Sequence, residues 1–113
     1  MAIIDPIIEK GIDKYLTIRW ENLAADDAGR TVSLGPLKVT TVEIRGVVGG
    51  SIPLIQGTMD GVTFNVFTED GTSVIAGEGI FKMFEHPKGV AAFVIGGDGT
   101  TDITITIGAS RLI

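Results

Sequence analysis

Hydrophobic and polar residues alternate along much of this chain. Along 102–107 isoleucine alternates with Asp or Thr, and along 15–21 the residues Leu16, Ile18 and Trp20 fall on one face. Successive side chains of a β-strand point to opposite faces of its sheet, so a period of two predicts strands with one buried face. We therefore predict strands in both segments, with the isoleucines and Trp20 facing the core.

Three further segments refine this pattern. Between Val39 and Val42 the apolar residues change from one face to the other, which predicts a β-bulge near Thr40-Thr41. Along 90–95 both faces are apolar, as in a strand that is central in its sheet or that lies in a subunit interface. The stretch 22–30, rich in Ala, Asp and Gly, is predicted to be a loop.

Asp-Gly pairs occur three times, at Asp60-Gly61, Asp70-Gly71 and Asp98-Gly99. A type I′ hairpin turn needs positive φ at both central residues, and Gly adopts such angles without steric cost, so each pair predicts a tight hairpin turn. Strand-like runs recur every ~8 to 12 residues between Gly-rich turns, with no long amphipathic helix among them. The pattern predicts an all-β fold, an antiparallel β-sandwich or jelly roll.

The first twelve residues are unusually apolar, and we predict an N-terminal arm (1–12) before a single β-sandwich domain (13–113). The arm carries five isoleucines, Ile3, Ile4, Ile7, Ile8 and Ile12. Its Asp5-Pro6 step predicts a single helical turn that ends at Gly11. Two interpretations stay open, since the arm either folds back on its own core as an edge segment or packs on a neighbouring subunit. An arm free in solution is disfavoured because it exposes apolar surface.

Composition favours contact with other protein chains. Of the 113 residues, 44% are hydrophobic and only 20% are charged, and the mean hydropathy is +0.39. The chain thus has more apolar residues than one small domain needs to build its core. We expect the surplus to face another chain, because exposed apolar patches mark interaction sites. A net charge of −5 with nine scattered basic residues argues against a nucleic-acid partner.

The sequence carries no signal for secretion, membrane insertion or disulfide bonding. There is no cysteine, so a disulfide framework and a thiolate metal site are excluded. The first residues lack the basic and long apolar regions of a secretion signal, and no apolar run approaches the ~20 residues that span a bilayer. We expect a protein made in the cytoplasm, without a membrane partner.

No set of residues predicts catalysis. The single histidine, His86, stands beside Pro87 in a predicted turn, without the Ser, Cys or second His that a nucleophilic triad or a zinc site requires. The glycine-rich stretch 96–99 lacks the Lys-Ser or Lys-Thr of a phosphate-binding loop and precedes a strand. We therefore predict that the protein is not an enzyme and holds no cofactor.

A calcium site is an alternative that rests on aspartates in predicted turns. These residues are Asp60, Asp70, Asp98 and Asp102. Calcium prefers several oxygen ligands from loops, but turn geometry alone selects Asp at each of these positions. A calcium-dependent adhesion domain is therefore the weakest of the functions we consider, and we predict no bound metal.

Some aromatic residues fall on the outward faces of their predicted strands. Phe67 is one, and Phe81 or Phe84 is another, depending on which face of that strand is buried. Outward aromatics are interface candidates, although a bulge or a second sheet covering them would explain the same pattern. Both interpretations stay open.

Two segments carry a resemblance to a known family. They are Ile55-Gln56-Gly57-Thr58-Met59-Asp60-Gly61-Val62-Thr63-Phe64 and, after an extended run from Phe81 to Ile95, Gly97-Asp98-Gly99-Thr100-Thr101-Asp102-Ile103-Thr104-Ile105. They resemble small β-sandwich virion proteins of tailed bacteriophages, in particular head-decoration (cement) proteins. The resemblance covers the C-terminal half of the chain.

This resemblance implies a structural protein on the outside of the assembled phage capsid, made in the host cytoplasm. Such proteins are commonly homotrimers that tie adjacent major capsid proteins together. We expect the arm, the end of the chain and an outward aromatic to make these contacts, through Ile3, Ile4, Ile7, Ile8, Ile12, Phe67, Leu112 and Ile113. A tail or baseplate component would show the same features.

The first of the two segments also resembles the strand-turn-strand of galactose-binding-like sandwiches. A Ser-x-Asp-Gly-x-x-Trp pattern is common there, whereas Phe64 stands here where Trp is usual. The basic or aromatic residues of a sugar site are not visible in the sequence. A carbohydrate-binding module is therefore the alternative function.

Overall fold

The computed structural model describes residues 2–11, 15–34, 37–59, 64–66, 79–85 and 88–110. The described residues form strands, turns and bends, and no helix. In chain order the strands are β1 (Ile3–Ile4), β2 (Ile7–Lys10), β3 (Leu16–Leu23), β4 (Ala28–Gly29), β5 (Val32–Ser33), β6 (Lys38–Val47), β7 (Ile52–Thr58), β8 (Phe64–Val66), β9 (Gly79–Glu85), β10 (Gly89–Ile95) and β11 (Asp102–Ser110).

The strands form two packed sheets, which confirms the predicted all-β sandwich. Sheet A has the order β1-β4-β10-β7-β8, and β5 also pairs with β10. Sheet B has the order β2-β3-β11-β6-β9. The described pairings are antiparallel except that of β1 with β4, which is parallel. Strand β10 lies between β4 and β7 inside sheet A, which agrees with the first of the two alternatives for 90–95, a central strand.

The core lies between the sheets and is built from the faces that the alternation predicts. Ile18 and Trp20 of β3 are fully buried, and so are Ile103, Ile105 and Ile107 of β11. Sheet A contributes Ile55 of β7 and Val90, Ala92 and Val94 of β10 to the same cluster. Burying each large apolar side chain contributes about 1.5 to 3 kcal/mol, so this cluster is the main source of stability.

A β-bulge occurs in β6 at the predicted place. Gly108 of β11 is opposite Thr41, but the next residue, Ala109, is opposite Val39, so Thr40 has no partner in this register. The Thr40 hydroxyl donates a hydrogen bond of 3.2 Å to the carbonyl oxygen of Gly108. The bulge allows Val39 and Val42 both to reach the core.

A second bulge, in β3, was not predicted. Ile105 is opposite Trp20 and Ile103 is opposite Leu23, so Glu21 and Asn22 together face one residue of β11. Asn22 has a φ of 58°, the left-handed conformation that Asn tolerates. The prediction of a loop over 22–30 is therefore wrong at both ends, because β3 continues to Leu23 and Ala28–Gly29 form β4.

The Asp98-Gly99 pair does not form the predicted hairpin turn. It connects β10 of sheet A to β11 of sheet B, and the positive φ angles fall at Gly96 (68°) and Gly97 (113°) instead. A chain that crosses between sheets has no twisted two-stranded ladder to match, so the type I′ requirement does not apply. The strands on either side of Asp60-Gly61, β7 and β8, do pair antiparallel. Residues 60–63 and Asp70-Gly71 lie outside the described residues.

The N-terminal segment forms strands on both sheets, so the prediction of a helical turn is wrong. β1 pairs with β4 in sheet A, and β2 pairs with β3 in sheet B. Pairs of β-branched isoleucines favour extended backbone, and both neighbouring strands offer hydrogen-bonding edges. The chain changes sheets at Asp5-Pro6. Its main chain therefore pairs with its own sandwich, as one of the two open interpretations had it, while the side chains of Ile3, Ile7 and Ile8 remain partly exposed.

Candidate contact face

A continuous apolar row crosses the outer face of sheet A. Ile3 of β1 is opposite Ala28 of β4, Ala28 is opposite Phe93 of β10, and Phe93 is opposite Leu54 of β7. These side chains point away from the core because their chain neighbours, among them Ile55 and Val94, point into it. Leu54 is buried although it is not part of the core cluster.

A second apolar pair lies beside this row. Ile52 of β7 and Ile95 of β10 are directly opposite one another and are 48% and 45% exposed. Ile3, at the far side of the row, is 57% exposed. Exposing apolar side chains to water is unfavourable, so covering these half-exposed isoleucines with another apolar surface lowers the free energy. We call the five residues Ile3, Ala28, Ile52, Phe93 and Ile95, which are all at least partly exposed, the contact face.

Charge is missing from the outward positions of the four strands that carry the contact face. On β7 the polar outward residues are Gln56 and Thr58, and on β10 the outward residues besides Phe93 and Ile95 are Gly89 and Ala91. Thr58 is buried. A surface without charges can be covered by another apolar surface without desolvating any ion.

A shallow groove of about 320 Å³ lies on this side of sheet A. Its lining runs from Ile3 and Ala28 past Arg30 and Thr31 to Gln56 and Phe93. The guanidinium of Arg30 donates to the carboxylate of Asp5 at 2.5 Å, and both side chains are exposed. The contact face therefore has an apolar centre and a polar rim, the arrangement usual in protein interfaces.

The outer face of sheet B is charged. The Arg19 guanidinium lies 3.6 Å from Glu9 Oε1, through its Nη2, and 3.6 Å from Glu21 Oε1, through its Nε. Arg45 Nε lies 2.9 Å from Glu43 Oε1. Exposed ion pairs of this kind add about 0 to 1 kcal/mol each, so they mark a hydrated surface more than a source of stability. The two outer faces of the sandwich thus differ in charge. That of sheet B carries charged side chains beside the exposed Ile7 and Val47, whereas the outward positions of β1, β4, β7 and β10 in sheet A carry none.

The loops at one end of the sandwich are held together by hydrogen bonds in which aspartate and threonine residues take part. Asp26 and Gly96 are joined twice, through Asp26 N–H to the Gly96 carbonyl and Gly96 N–H to Asp26 Oδ1. The hydroxyl of Thr101 contacts the Val48 carbonyl oxygen at 3.2 Å. The Thr100 hydroxyl and its N–H both donate to Asp98 Oδ1, and these bonds lower the pKa of the Asp98 carboxyl.

Of the two described aspartates considered for calcium, Asp98 is a turn residue and Asp102 is a strand residue. Asp98 accepts from Thr100, and Asp102 begins β11. Within the described part of the chain no three His, Asp or Glu side chains come close enough to hold a metal ion. Asp60 and Asp70 lie outside that part, as does His86.

A second groove, of about 530 Å³, lies at the other end of the sandwich. It is lined by Lys10, Gly11, Tyr15, Leu16, Ser33, Leu34 and Leu37. Leu16 and Leu37 pack against the core, so the groove is a gap at the margin of the core. Its lining combines one lysine and one tyrosine with apolar groups, which do not form a set for acid-base or nucleophilic chemistry.

The predicted interface residues are divided between several places. Ile3 lies on the contact face, Ile4 is partly buried against the core, and Ile7 and Ile8 lie on the edge strand β2 with exposures of 41% and 47%. Ile12, Phe67, Leu112 and Ile113 lie outside the described residues. Ile52, Phe93 and Ile95 are not among the predicted interface residues. The apolar second face of 90–95 was a signal for Phe93 and Ile95, whereas Ile52 joins them through the pairing of β7 with β10.

No protein-family model matches this sequence, and no curated protein matches it significantly. In the described part of the chain no helix is both long and apolar enough to cross a membrane. The candidate site therefore rests on the chemistry of the two outer faces.

Proposed function

We propose that this protein is a structural virion protein that binds the outside of an assembled phage capsid and stabilises it by bridging major capsid proteins. It acts without catalysis or cofactor, and its own copies form a homo-oligomer. The resemblance of 55–64 and 97–105 to head-decoration proteins supports the class. The observation that carries the proposal is the difference between the apolar outer face of sheet A and the charged outer face of sheet B.

The contact face supports a role in assembly, because exposed apolar side chains add no stability to a single chain in water. Ile3, Ile52 and Ile95 are each about half exposed, and the residues between them carry no charge. Largest apolar patches of roughly 300 to 600 Å² on small proteins are often functional. Covering this one in an assembly recovers roughly 25 cal/mol for every Å² removed from water.

Stabilisation of a capsid by such a protein follows from mass action. A protein that binds the mature shell, but not its precursor or its separate subunits, shifts the equilibrium toward the shell by its differential binding free energy. No bond is made or broken. A rigid sandwich suits this task, because little conformational entropy is lost when it docks.

The direct test is to find the protein in virions. Quantitative mass spectrometry of purified virions is expected to show the chain in a fixed ratio to the major capsid protein, and immunogold labelling is expected to mark heads. Labelling confined to tails or baseplates would move the proposal to a tail component. Absence from purified virions, with the gene expressed, would overturn it.

A carbohydrate-binding role is a second candidate, favoured by the groove on sheet A. Phe93, Gln56 and Arg30 all line it, and sugars bind through aromatic and polar side chains of these types. A glycan array with the purified protein tests this role. Specific binding that a Gln56→Ala variant loses would support it, and an array without signal would exclude it for the glycans displayed.

A further inference from the structure

We propose that copies of this chain associate with their contact faces turned toward one another around a shared symmetry axis. This inference deepens the proposed function, since it names a second copy as the occupant of the contact face, and it rests on that function only for the expectation of a homo-oligomer. Either two or three copies can meet in this way.

Charge decides which surface can cover the contact face. If the face packed on the outer face of sheet B of another copy, it would take Arg19, Glu21, Glu43 and Arg45 out of water. The cost of desolvating ions is often larger than their mutual attraction repays. Packing against the same face of another copy desolvates no charged side chain at its centre. Of the outer faces that the structure describes, the contact face is thus its own best complement.

Shape supports the same partner. A twisted sheet packs well against another twisted sheet, with interdigitating side chains and about 10 Å between the sheets. The contact face offers large side chains at Ile52, Phe93 and Ile95 beside the small Ala28 and Ala91, which gives ridges and hollows for such packing. The exposed Arg30–Asp5 pair at the rim can stay in water.

The area is sufficient for a reversible contact. The exposed parts of Ile3, Ile52, Ile95 and Phe93 offer roughly 300 Å² of apolar surface per copy, or roughly 600 Å² for two copies. Interfaces are about 60% apolar, so the whole contact buries roughly 1,000 Å², the lower limit for a specific interface. We therefore expect association that depends on protein concentration in the micromolar range.

Sedimentation velocity of the isolated full chain at rising micromolar concentration tests the inference. The expected mass is two or three times 11.9 kDa, and the variant Ile95→Lys is expected to sediment as a monomer. The matched control is Val47→Lys, since Val47 is 51% exposed on the outer face of sheet B, and this variant is expected to keep the wild-type mass. Circular dichroism melts of both variants verify that they are folded.

Cross-linking gives a second readout that does not depend on weakening the contact. Because the chain has no cysteine, the variant Ile52→Cys carries one thiol, and a short bismaleimide is expected to join copies through it. Val47→Cys is the control and is expected to remain uncross-linked.

A monomeric wild type throughout this range would overturn the inference, and so would an oligomer that Ile95→Lys leaves intact while Ile52→Cys stays uncross-linked. Neither result affects the virion test of the proposed function. Conversely, an oligomer through this face in a protein absent from virions would overturn the proposed function alone.

Discussion

Gly29 of β4 lies directly against the indole ring of Trp20 of β3. A methyl group on Gly29 would come within 2.6 Å of Cδ1 of the ring. The indole Nε1–H donates a hydrogen bond of 3.0 Å to the carbonyl oxygen of the next residue, Arg30. Since β3 belongs to sheet B and β4 to sheet A, this contact ties the short strand β4, and through it β1 and the edge of the contact face, to the core.

The first prediction concerns the space at Gly29. Gly29→Ala is expected to lower the free energy of unfolding by about 1 to 3 kcal/mol, because the added methyl group overpacks a site enclosed by a fully buried ring. Gly99→Ala is the control, since nothing lies within 4 Å of the corresponding position. Urea unfolding measures both variants, and equal stabilities would show that Trp20 does not constrain Gly29.

The second prediction concerns the carboxylate that holds the N-terminal segment. Asp27 is buried, and its Oδ1 and Oδ2 accept from the N–H groups of Ala2 and Ala24, each at 2.9 Å. In Asp27→Asn an amide NH₂ would face one of these donors, so we expect a loss of about 1 to 3 kcal/mol. The amide of Ala28, which donates to the Ala2 carbonyl oxygen, is expected to exchange its hydrogen faster.

The neighbouring substitution Asp26→Asn is the matched control for Asp27. Asp26 accepts through Oδ1 alone, from Gly96 N–H, and its φ of 59° is one that Asn adopts readily. We expect a change of less than about 0.5 kcal/mol. If the two variants lost the same stability, general loss of negative charge would be the cause and the specific role of Asp27 would be refuted.

The third prediction is a double-mutant cycle at Tyr15 and Gly108. The Tyr15 hydroxyl occupies the space that a side chain at Gly108 would need. Gly108→Ala is expected to destabilise the wild type but to be neutral or stabilising in a Tyr15→Ala background, because Ala is better than Gly in a strand. The cycle is measured by thermal or urea unfolding, and additive effects would contradict the contact.

The fourth prediction is the titration of Asp98. Hydrogen bonds from the Thr100 side chain, and then from its N–H, lower the pKa of this exposed carboxyl below its ordinary value of 3.8. The folded state thus binds the proton more weakly than the unfolded chain. Its contribution to stability is complete above about pH 3.8 and is lost as the pH falls through the lower folded value.

Nuclear magnetic resonance titration of the Asp98 carboxyl measures this shift. In Thr100→Ala we expect the pKa to rise part of the way to the ordinary value, since the backbone bond of 2.8 Å remains. Thr104→Val, on the outer face of sheet B, is expected to leave the Asp98 pKa unchanged. An Asp98 pKa at or above 3.8 in the wild type would contradict the hydrogen-bonded turn.

Local pattern was enough to predict the strands that form the core. Both the buried face of β11 at Ile103, Ile105 and Ile107 and the bulge near Thr40 depend only on residues that are close in the sequence. Period-two alternation therefore predicts them. The helical turn at 5–11 failed because pairing with β3 and β4 decides that segment, and such long-range pairing is not visible in a short window. Asp98-Gly99 failed for the same reason, since a crossing between sheets is a property of topology.

The candidate site was only partly predictable. The apolar second face of 90–95 indicated either a central strand or an interface, and the structure shows β10 to be central while Phe93 and Ile95 point outward. The row from Ile3 to Leu54 needed the strand order β1-β4-β10-β7, which brings together residues far apart in the sequence. Alternation along the sequence predicts which side chains of a strand point outward. It does not predict which strands lie beside it in the sheet.

The stability of phage heads tests the central claim most directly. Heads from virions that lack this protein are heated with and without the purified chain, and release of DNA is followed by the fluorescence of an intercalating dye. We predict that added protein binds until a fixed number of sites is filled and raises the temperature of DNA release. Heads that bind no protein and release DNA at an unchanged temperature would contradict a capsid-stabilising function.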